Sequence, residues 1–172
     1  MAKPDPLDRV RLYHFTDTRN LPSISEFGGL YSLAMLEEMG VEIEAPGGND
    51  WSHDADHRNG LDEYVHLCFR PVHPMEWRAK QDGRIKKSIF LEVRREVLQR
   101  DGVVYTPDVS NKSGVDLCTL DEARELIDLE VLYSWTDWRD PEIKERLKLA
   151  EKCEILVPNH IPIKLIRNIP NG

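Results

Sequence analysis

Apolar and polar residues alternate over several short stretches of the chain, which is the pattern of β-strands buried on one face. The alternation is clear at residues 10–16, where Leu12 and His14 fall on one face and Tyr13 on the other. The pattern predicts strands at residues 10–16, 64–69, 88–93, 103–105, 129–134, 153–157 and 161–166.

Short helices are predicted between these strands from their capping residues. Asn20 can cap a helix that Gly28 and Gly29 end, because glycine readily adopts the left-handed backbone conformation. Thr119 and Glu122 match a capping box. The predicted helices cover residues 21–27, 31–39 and 74–81, a segment that follows Thr119, and a segment opened by Asp140 and Pro141.

The order of these elements predicts the fold class. Strands alternate irregularly with short helices, which indicates an α+β domain with a split, mostly antiparallel sheet rather than a doubly wound one. The 172 residues fit a single domain over 1–172, and no repeat or interdomain linker interrupts them.

Charge and composition limit the function classes. The net charge is −8, from 31 acidic and 23 basic residues, so we expect no tight, non-specific binding of duplex DNA. A local groove could still accept a single strand. No apolar run approaches the ~20 residues that span a bilayer, and no signal peptide is recognised, so we expect a cytoplasmic protein without a membrane partner. Cys68, Cys118 and Cys153 are expected to be free, buried thiols.

A polar loop at residues 44–60 is rich in Gly, Asp, Asn and His, and long loops inside compact domains are often functional. His53 and His57 would share a face if this loop were helical, with Asp54 and Asp56 beside them. Glycines on both sides make a stable helix improbable, and no third ligand has a diagnostic spacing. We therefore expect no metal site.

Three segments of the chain together resemble the DarT family of DNA ADP-ribosyltransferase toxins. The first is LYHFT at 12–16, followed by NLPSI at 20–24 and GGL at 28–30. The second is GLDEYVHLCF at 60–69, followed by HPM at 73–75. The third is AEKCEILVP at 150–158. The segments lie in the family's order and span nearly the whole chain.

This resemblance implies a fold, an activity and partners. The fold would be that of ADP-ribosyltransferases, with two small sheets around a cleft that holds NAD as a substrate. The activity would be transfer of ADP-ribose to a base of single-stranded DNA, thymine in some members and guanine in others. Segment 109–114 looks closer to the guanine-modifying branch. The partners would be single-stranded DNA and a cognate antitoxin that reverses the modification.

The resemblance also implies site residues. Breaking the bond between nicotinamide and ribose builds positive charge on the sugar, and Glu154 would be the catalytic carboxylate that stabilises it. Arg58, the only arginine of segment 49–60, would assist by holding the pyrophosphate or the acceptor. The residues that would bind NAD are Tyr13, His14, Thr16, Asn20, Gly28, Gly29 and Leu30.

Each of these assignments has a structural alternative. Glu154 could be an exposed strand residue paired with a lysine, His14 a packed core histidine, and Arg58 a solvated loop residue. Asn20 could be a helix cap and nothing more. Trp77, Trp135 and Trp138 could stack on bases, or they could cover the core.

Other functions are open on the sequence alone. The same fold could modify RNA or a protein side chain, or the chain could be a degenerate nucleotide-binding domain. Retention of His14 and Glu154 in the matching segments argues against degeneration. An RNA phosphotransferase of related fold would need a basic set of Arg and His residues that is not found here.

Overall fold

The computed structural model describes residues 6–42, 60–109, 116–133 and 137–169. Its strands are β1 (Leu12–Asp17), β2 (Gly29–Tyr31), β3 (Tyr64–Cys68), β4 (Ser88–Val93), β5 (Val104–Thr106), β6 (Glu154–Pro158) and β7 (His160–Pro162). Its α-helices are α1 (Leu21–Phe27), α2 (Leu33–Met39), α3 (Pro74–Gln81), α4 (Leu120–Leu126), α5 (Leu129–Tyr133) and α6 (Pro141–Ala150).

The strands form two separate sheets. The larger sheet has the order β4-β1-β3-β6-β5, and the smaller one joins β2 to β7. Every strand pair in these sheets is antiparallel. The predicted α+β class with split antiparallel sheets is therefore confirmed.

The centre of the larger sheet is unevenly paired. β1 and β4 share six registered pairs, and β3 and β6 share five. Within the described residues, β1 and β3 share one, between Tyr13 and Cys68. The main-chain ladder between β1 and β3 is therefore short, and side chains complete the hydrogen bonding beside it.

The hydrophobic core covers one face of the larger sheet. Its most buried strand residues include Leu12, Leu67, Leu91 and Ile155. The helices α4 and α5 contribute apolar side chains to the same cluster. Burial on both sides of β6 makes that strand the most enclosed element of the sheet and a rigid support for any side chain that it carries.

Residues 129–133 form the helix α5, so the strand predicted at 129–134 is wrong. Asp128 precedes the helix, and its carboxylate accepts a hydrogen bond from the main-chain N–H of Val131 at 3.1 Å. Arg146 of α6 holds the same carboxylate, with nitrogen–oxygen distances of 2.7 and 3.0 Å. A short apolar run in a sequence does not distinguish a buried strand from a buried helix. In this segment the Asp128 cap and its ion pair with Arg146 favour the helix.

Strands β1, β3, β5 and β6 differ from their predicted ranges by one or two residues at an end, and two other segments differ in the kind of element that they form. The helix predicted at 31–39 begins at Leu33, because the Ser32 side chain caps it by accepting from the Met35 N–H, and Tyr31 belongs to β2. The strand predicted at 161–166 is interrupted: β7 ends at Pro162, and a 3-10 turn follows at Ile163–Leu165.

Several other predictions are confirmed. Helix α3 and strand β4 have the predicted bounds, Thr119 and Glu122 form a capping box, and Asp140 caps α6. The three cysteines are free and buried. In the described part of the chain, no helix combines the length and the apolar character that crossing a membrane requires.

Candidate active site

Glu154 is the first residue of β6, the strand between β3 and β5, and it is buried, with 5% of its surface exposed. It pairs with Cys68 on β3 and with Thr106 on β5. Its main-chain N–H donates to the Thr106 hydroxyl at 3.2 Å. The alternative of an exposed strand residue is therefore wrong. A buried carboxylate is costly unless other groups compensate for it, so its partners define the site.

His66 on β3 contacts the Glu154 carboxylate. Its Nδ1 lies 3.3 Å from Glu154 Oε1, and its Nε2 donates to the Leu61 carbonyl at 3.0 Å. Both ring nitrogens thus face oxygen atoms that accept hydrogen bonds. An imidazolium at this position would donate from both nitrogens and would neutralise the buried carboxylate.

Sequence reasoning missed His66 as a site residue. It lies 88 positions from Glu154 along the chain, so no spacing rule links the two. The signal available was a polar residue within the β3 segment YVHLC, and only the pairing of β3 with β6 gives that residue its meaning.

His14 extends this arrangement onto β1. Its Nδ1 donates to the main-chain carbonyl of His66 at 3.0 Å, next to the short ladder between β1 and β3. Burial lowers the pKa of the His14 imidazole below its ordinary value, so the ring is neutral near pH 7. Because Nδ1 carries the proton, Nε2 is an acceptor, and no hydrogen bond to it is found within the described residues. The structure thus connects His14, His66 and Glu154 across three neighbouring strands.

Thr16 and Asn20 form a second polar group at the end of β1. Both residues are buried, and Asn20 Nδ2 donates to Thr16 Oγ1 at 2.9 Å. Asn20 does hold the N-cap position of α1, but its side chain makes no capping hydrogen bond, so the prediction of a side-chain cap is wrong. The side chain instead joins the end of β1 to the start of α1.

Asp17 fixes the backbone that carries Thr16 and Asn20, and sequence reasoning missed it. Its buried carboxylate accepts from the Arg19 guanidinium, from the Arg19 N–H at 2.8 Å and from the Lys86 N–H at 2.8 Å. The hydrogen bond from the Arg19 side chain holds the pKa of the Asp17 carboxyl well below its usual range. Asp17 therefore ties the turn after β1 to the segment that enters β4.

Gly28 and Gly29 have structural roles of their own. Gly28 ends α1 in the left-handed conformation, as predicted, with φ of 77°. Gly29 begins β2, and a Cβ atom there would lie 2.1 Å from the Ile161 carbonyl oxygen of β7. Leu30 is buried and pairs with Ile161. The packing of β2 against β7 is therefore enough to explain why residue 29 is a glycine, with no ligand required. A ligand at this segment would contact its main chain.

The two tryptophans within the described residues, Trp77 and Trp138, do not cover the core. Trp77 is 62% exposed and Trp138 is 57% exposed, so the alternative that placed them over the core is wrong for both. Arg58, Trp135, residues 53–57 with their histidines and aspartates, and residues 110–114 lie outside the described residues. Elsewhere in the described ranges, no cluster of His, Cys, Asp and Glu side chains could hold a metal ion.

Comparisons with known structures give the fold a precedent. Thermus sp. 2.9 DarT in complex with ADP-ribosylated ssDNA superposes with a TM-score of 0.64 at 22% identity, over 96% of this chain and 81% of that one. The same protein in complex with NAD+ gives a TM-score of 0.59 at 22% identity, over 96% and 82% of the two chains. Thermosipho africanus DarTG in complex with ADP-ribose gives 0.66 at 21% identity, over 91% of this chain and 42% of that one.

A family comparison covers almost the same span. No curated protein sequence matches the chain significantly. The family described as ssDNA thymidine ADP-ribosyltransferase, DarT, matches residues 13–170, which include all of β1 except Leu12, the whole of β3 and the strand that carries Glu154. With nearly the whole chain matched and the fold shared, this protein belongs to the DarT family of ssDNA ADP-ribosyltransferases.

Proposed function

We propose that this chain transfers ADP-ribose from NAD to a base of single-stranded DNA, with Glu154 as the catalytic residue. The observation that carries the proposal is the buried Glu154 carboxylate on a central strand, held by His66 at 3.3 Å, in a chain of the DarT family. A water-poor, preorganised carboxylate is the group that best stabilises positive charge as it develops.

The reaction needs one bond broken and one formed. The bond between ribose C1′ and nicotinamide breaks, and nicotinamide leaves with the electron pair. The positive charge left on the sugar is stabilised by the Glu154 carboxylate, which also orients a ribose hydroxyl. A nucleophilic atom of the DNA base then bonds to C1′, and the proton that it carried passes to solvent water. The charge exists only near the transition state, so Glu154 would contribute mainly to kcat.

The remaining site residues are proposed to hold NAD around this carboxylate. The acceptor Nε2 of His14 is suited to a ribose hydroxyl, and Tyr13 lies beside it on β1. The polar pair Thr16 and Asn20 is suited to a further hydroxyl or phosphate. The main chain of Gly28, Gly29 and Leu30 would approach the dinucleotide, and Arg58 would hold the pyrophosphate or the acceptor. Complexes of Thermus sp. 2.9 DarT with NAD+ and with carba-NAD+ support NAD as the donor.

Two candidates for the modified base follow from different observations. The family description names thymidine. Segment 109–114 instead resembles the guanine-modifying branch. We also propose a cognate antitoxin that removes the modification, supported by the similarity to a protein described as DarTG.

The experiment uses purified protein, NAD and oligonucleotides that each carry one kind of reactive base in an otherwise inert sequence. We expect mass spectrometry to show addition of one ADP-ribose to the thymine or to the guanine oligonucleotide. Matched duplexes should react far more slowly, because extruding a paired base costs a few kcal/mol. Labelling of RNA alone, or of protein alone, would replace this function with its alternative. Equal labelling of duplex and single strand would contradict the preference for single strands.

A further inference from the structure

A cavity of about 230 Å³ lies at the start of β1, and of the residues proposed above to hold NAD its lining includes only Tyr13. Its lining includes two arginines, Arg11 and Arg70, and four aromatic residues, Tyr13, Phe69, Tyr133 and Trp138. Tyr133 donates its hydroxyl hydrogen to the Phe69 carbonyl at 3.0 Å, which fixes one wall. The cavity is therefore bordered by both cationic and aromatic groups.

The cavity is close to the proposed catalytic carboxylate. Its wall residue Tyr13 pairs with Cys68, and Cys68 pairs with Glu154. The main chains of Tyr13 and Glu154 are therefore separated by two strand spacings, or about 10 Å.

The two arginines differ in their surroundings. Arg11 is exposed, and its guanidinium has no hydrogen bond or ion pair within the described part of the chain. Arg70 lies over the Trp138 ring at 5.2 Å and forms an ion pair with Glu151 at 3.5 Å. An uncompensated arginine next to a cation–π pair is a local positive site on a protein of net charge −8.

An exposed tryptophan beside arginines matches the chemistry of single-stranded nucleic acid. Bases of any sequence stack on aromatic faces, and guanidinium groups bind phosphate oxygens. Trp138 is 57% exposed, and the ring face that Arg70 does not cover can serve as a stacking surface.

We propose that this cavity binds a nucleotide that flanks the modified base on the same DNA strand, with its base stacked on Trp138 and its phosphate held by Arg11 and Arg70. The proposal rests on the function proposed above, because it takes the strand that enters the Glu154 site as its ligand. It assigns the sequence-tolerant part of DNA binding to a surface separate from the reacting base. It also explains how an acidic protein can retain a strand with few phosphate contacts.

The test measures the Kd of a fluorescently labelled single-stranded oligonucleotide by anisotropy for the wild type and for Trp138→Ala and Arg11→Ala. Trp77→Ala and Arg78→Ala are the matched controls, because both residues are exposed and lie on α3. Trp138→Ala should weaken binding by about 5- to 150-fold, as for the loss of one stacked base. Arg11→Ala should reduce the slope of log K against log salt by about 0.7, as for one phosphate contact on a single strand.

A Kd for Trp138→Ala equal to that for Trp77→Ala, or an unchanged salt slope for Arg11→Ala, would overturn the proposal. The binding assay needs no catalysis, so its outcome is independent of the proposed activity. Wild-type protein that binds the strand through Trp138 but transfers no ADP-ribose would refute the activity alone. Wild-type protein that transfers ADP-ribose but binds equally well after Trp138→Ala would refute this site alone.

Discussion

Removing the His66 imidazole should change the pH at which the enzyme works, and not only its rate. In the wild type, His66 Nδ1 lies 3.3 Å from the Glu154 carboxylate, and its Nε2 is held by the Leu61 carbonyl. The variant His66→Ala deletes the imidazole and leaves a buried carboxylate, on a residue that is 5% exposed, without this partner. Burial favours the neutral acid, and the ring no longer stabilises the charged form, so the Glu154 pKa should rise.

The size of the effect follows from the geometry. Two unit charges about 4 Å apart interact with about 4 kcal/mol at an effective dielectric constant of about 20, which is an upper bound of roughly three pH units. The His66 side chain is 25% exposed, so water screens part of this interaction. An opposite charge at this distance generally shifts a carboxyl pKa by 1–3 units, and we expect a shift of about 1–2 units here.

The assay follows kcat for ADP-ribose transfer to an oligonucleotide against pH, at saturating NAD. The reaction needs the Glu154 carboxylate in its charged form, so the acid limb for His66→Ala should lie about 1–2 units higher than for the wild type. The variant His66→Gln retains a neutral hydrogen-bond donor. It should recover part of the rate on the plateau while keeping the shifted acid limb.

The outcome that refutes this reasoning is a uniform loss of rate. If His66 only supports the fold, both variants should lose activity by the same factor at every pH, and the acid limb should stay where it is in the wild type. Circular dichroism and urea unfolding of both variants would establish that they are folded.

Three further predictions concern stability and toxicity. Asp17→Asn should destabilise the fold by about 2–4 kcal/mol in urea unfolding, because it weakens a buried carboxylate's ion pair and hydrogen bonds. The control Asp82→Asn, at the exposed pair with Arg84, should destabilise the fold by less than about 1 kcal/mol. The folded pKa of Asp17 is lowered, so the wild type should lose the contribution of Asp17 to the free energy of unfolding as the pH falls below the unfolded carboxyl pKa of about 4. Asp17→Asn should lack that loss. Parallel plots of unfolding free energy against pH for the wild type and the variant would contradict the assignment. Gly29→Ala should lower the free energy of unfolding by more than Gly40→Ala does, because of these two positions only Gly29 would bring a Cβ against a main-chain oxygen. Backbone strain alone predicts a loss of about 1–2 kcal/mol for Gly40→Ala. Equal losses for the two variants would show that β2 can shift away from β7. Expression of the wild type in bacteria should stop growth and raise DNA-damage signalling, and Glu154→Gln should do neither; unaffected growth at good expression of the wild type would count against a DNA target.

The parts of the fold that could be predicted from sequence are those with a local cause. Helix α3 begins at a proline, α4 has its capping box and α6 its Asp140 cap, and each was predicted where it occurs. The helix α5 could not be predicted, because its cap Asp128 depends on Arg146 from another helix. Local sequence specifies the first kind of element, and tertiary contacts specify the second.

The candidate site divides in the same way. The resemblance of the three sequence segments indicated His14 and Glu154, and the structure connects them through His66. It could not indicate His66 or Asp17, whose roles arise from contacts between strands that are distant in sequence. Nor could residue type alone show that Asn20 bonds to Thr16 rather than to its own helix.

The measurement that tests the central claim most directly compares wild type with Glu154→Gln in one reaction with NAD and a single-stranded oligonucleotide. Mass spectrometry reports ADP-ribose on the DNA, and nicotinamide release reports cleavage of NAD. The account predicts transfer by the wild type and a loss of about 100- to 1000-fold in a folded Glu154→Gln protein that still binds NAD. Undiminished transfer by folded Glu154→Gln protein, or wild-type protein that cleaves no NAD with any strand present, would contradict it.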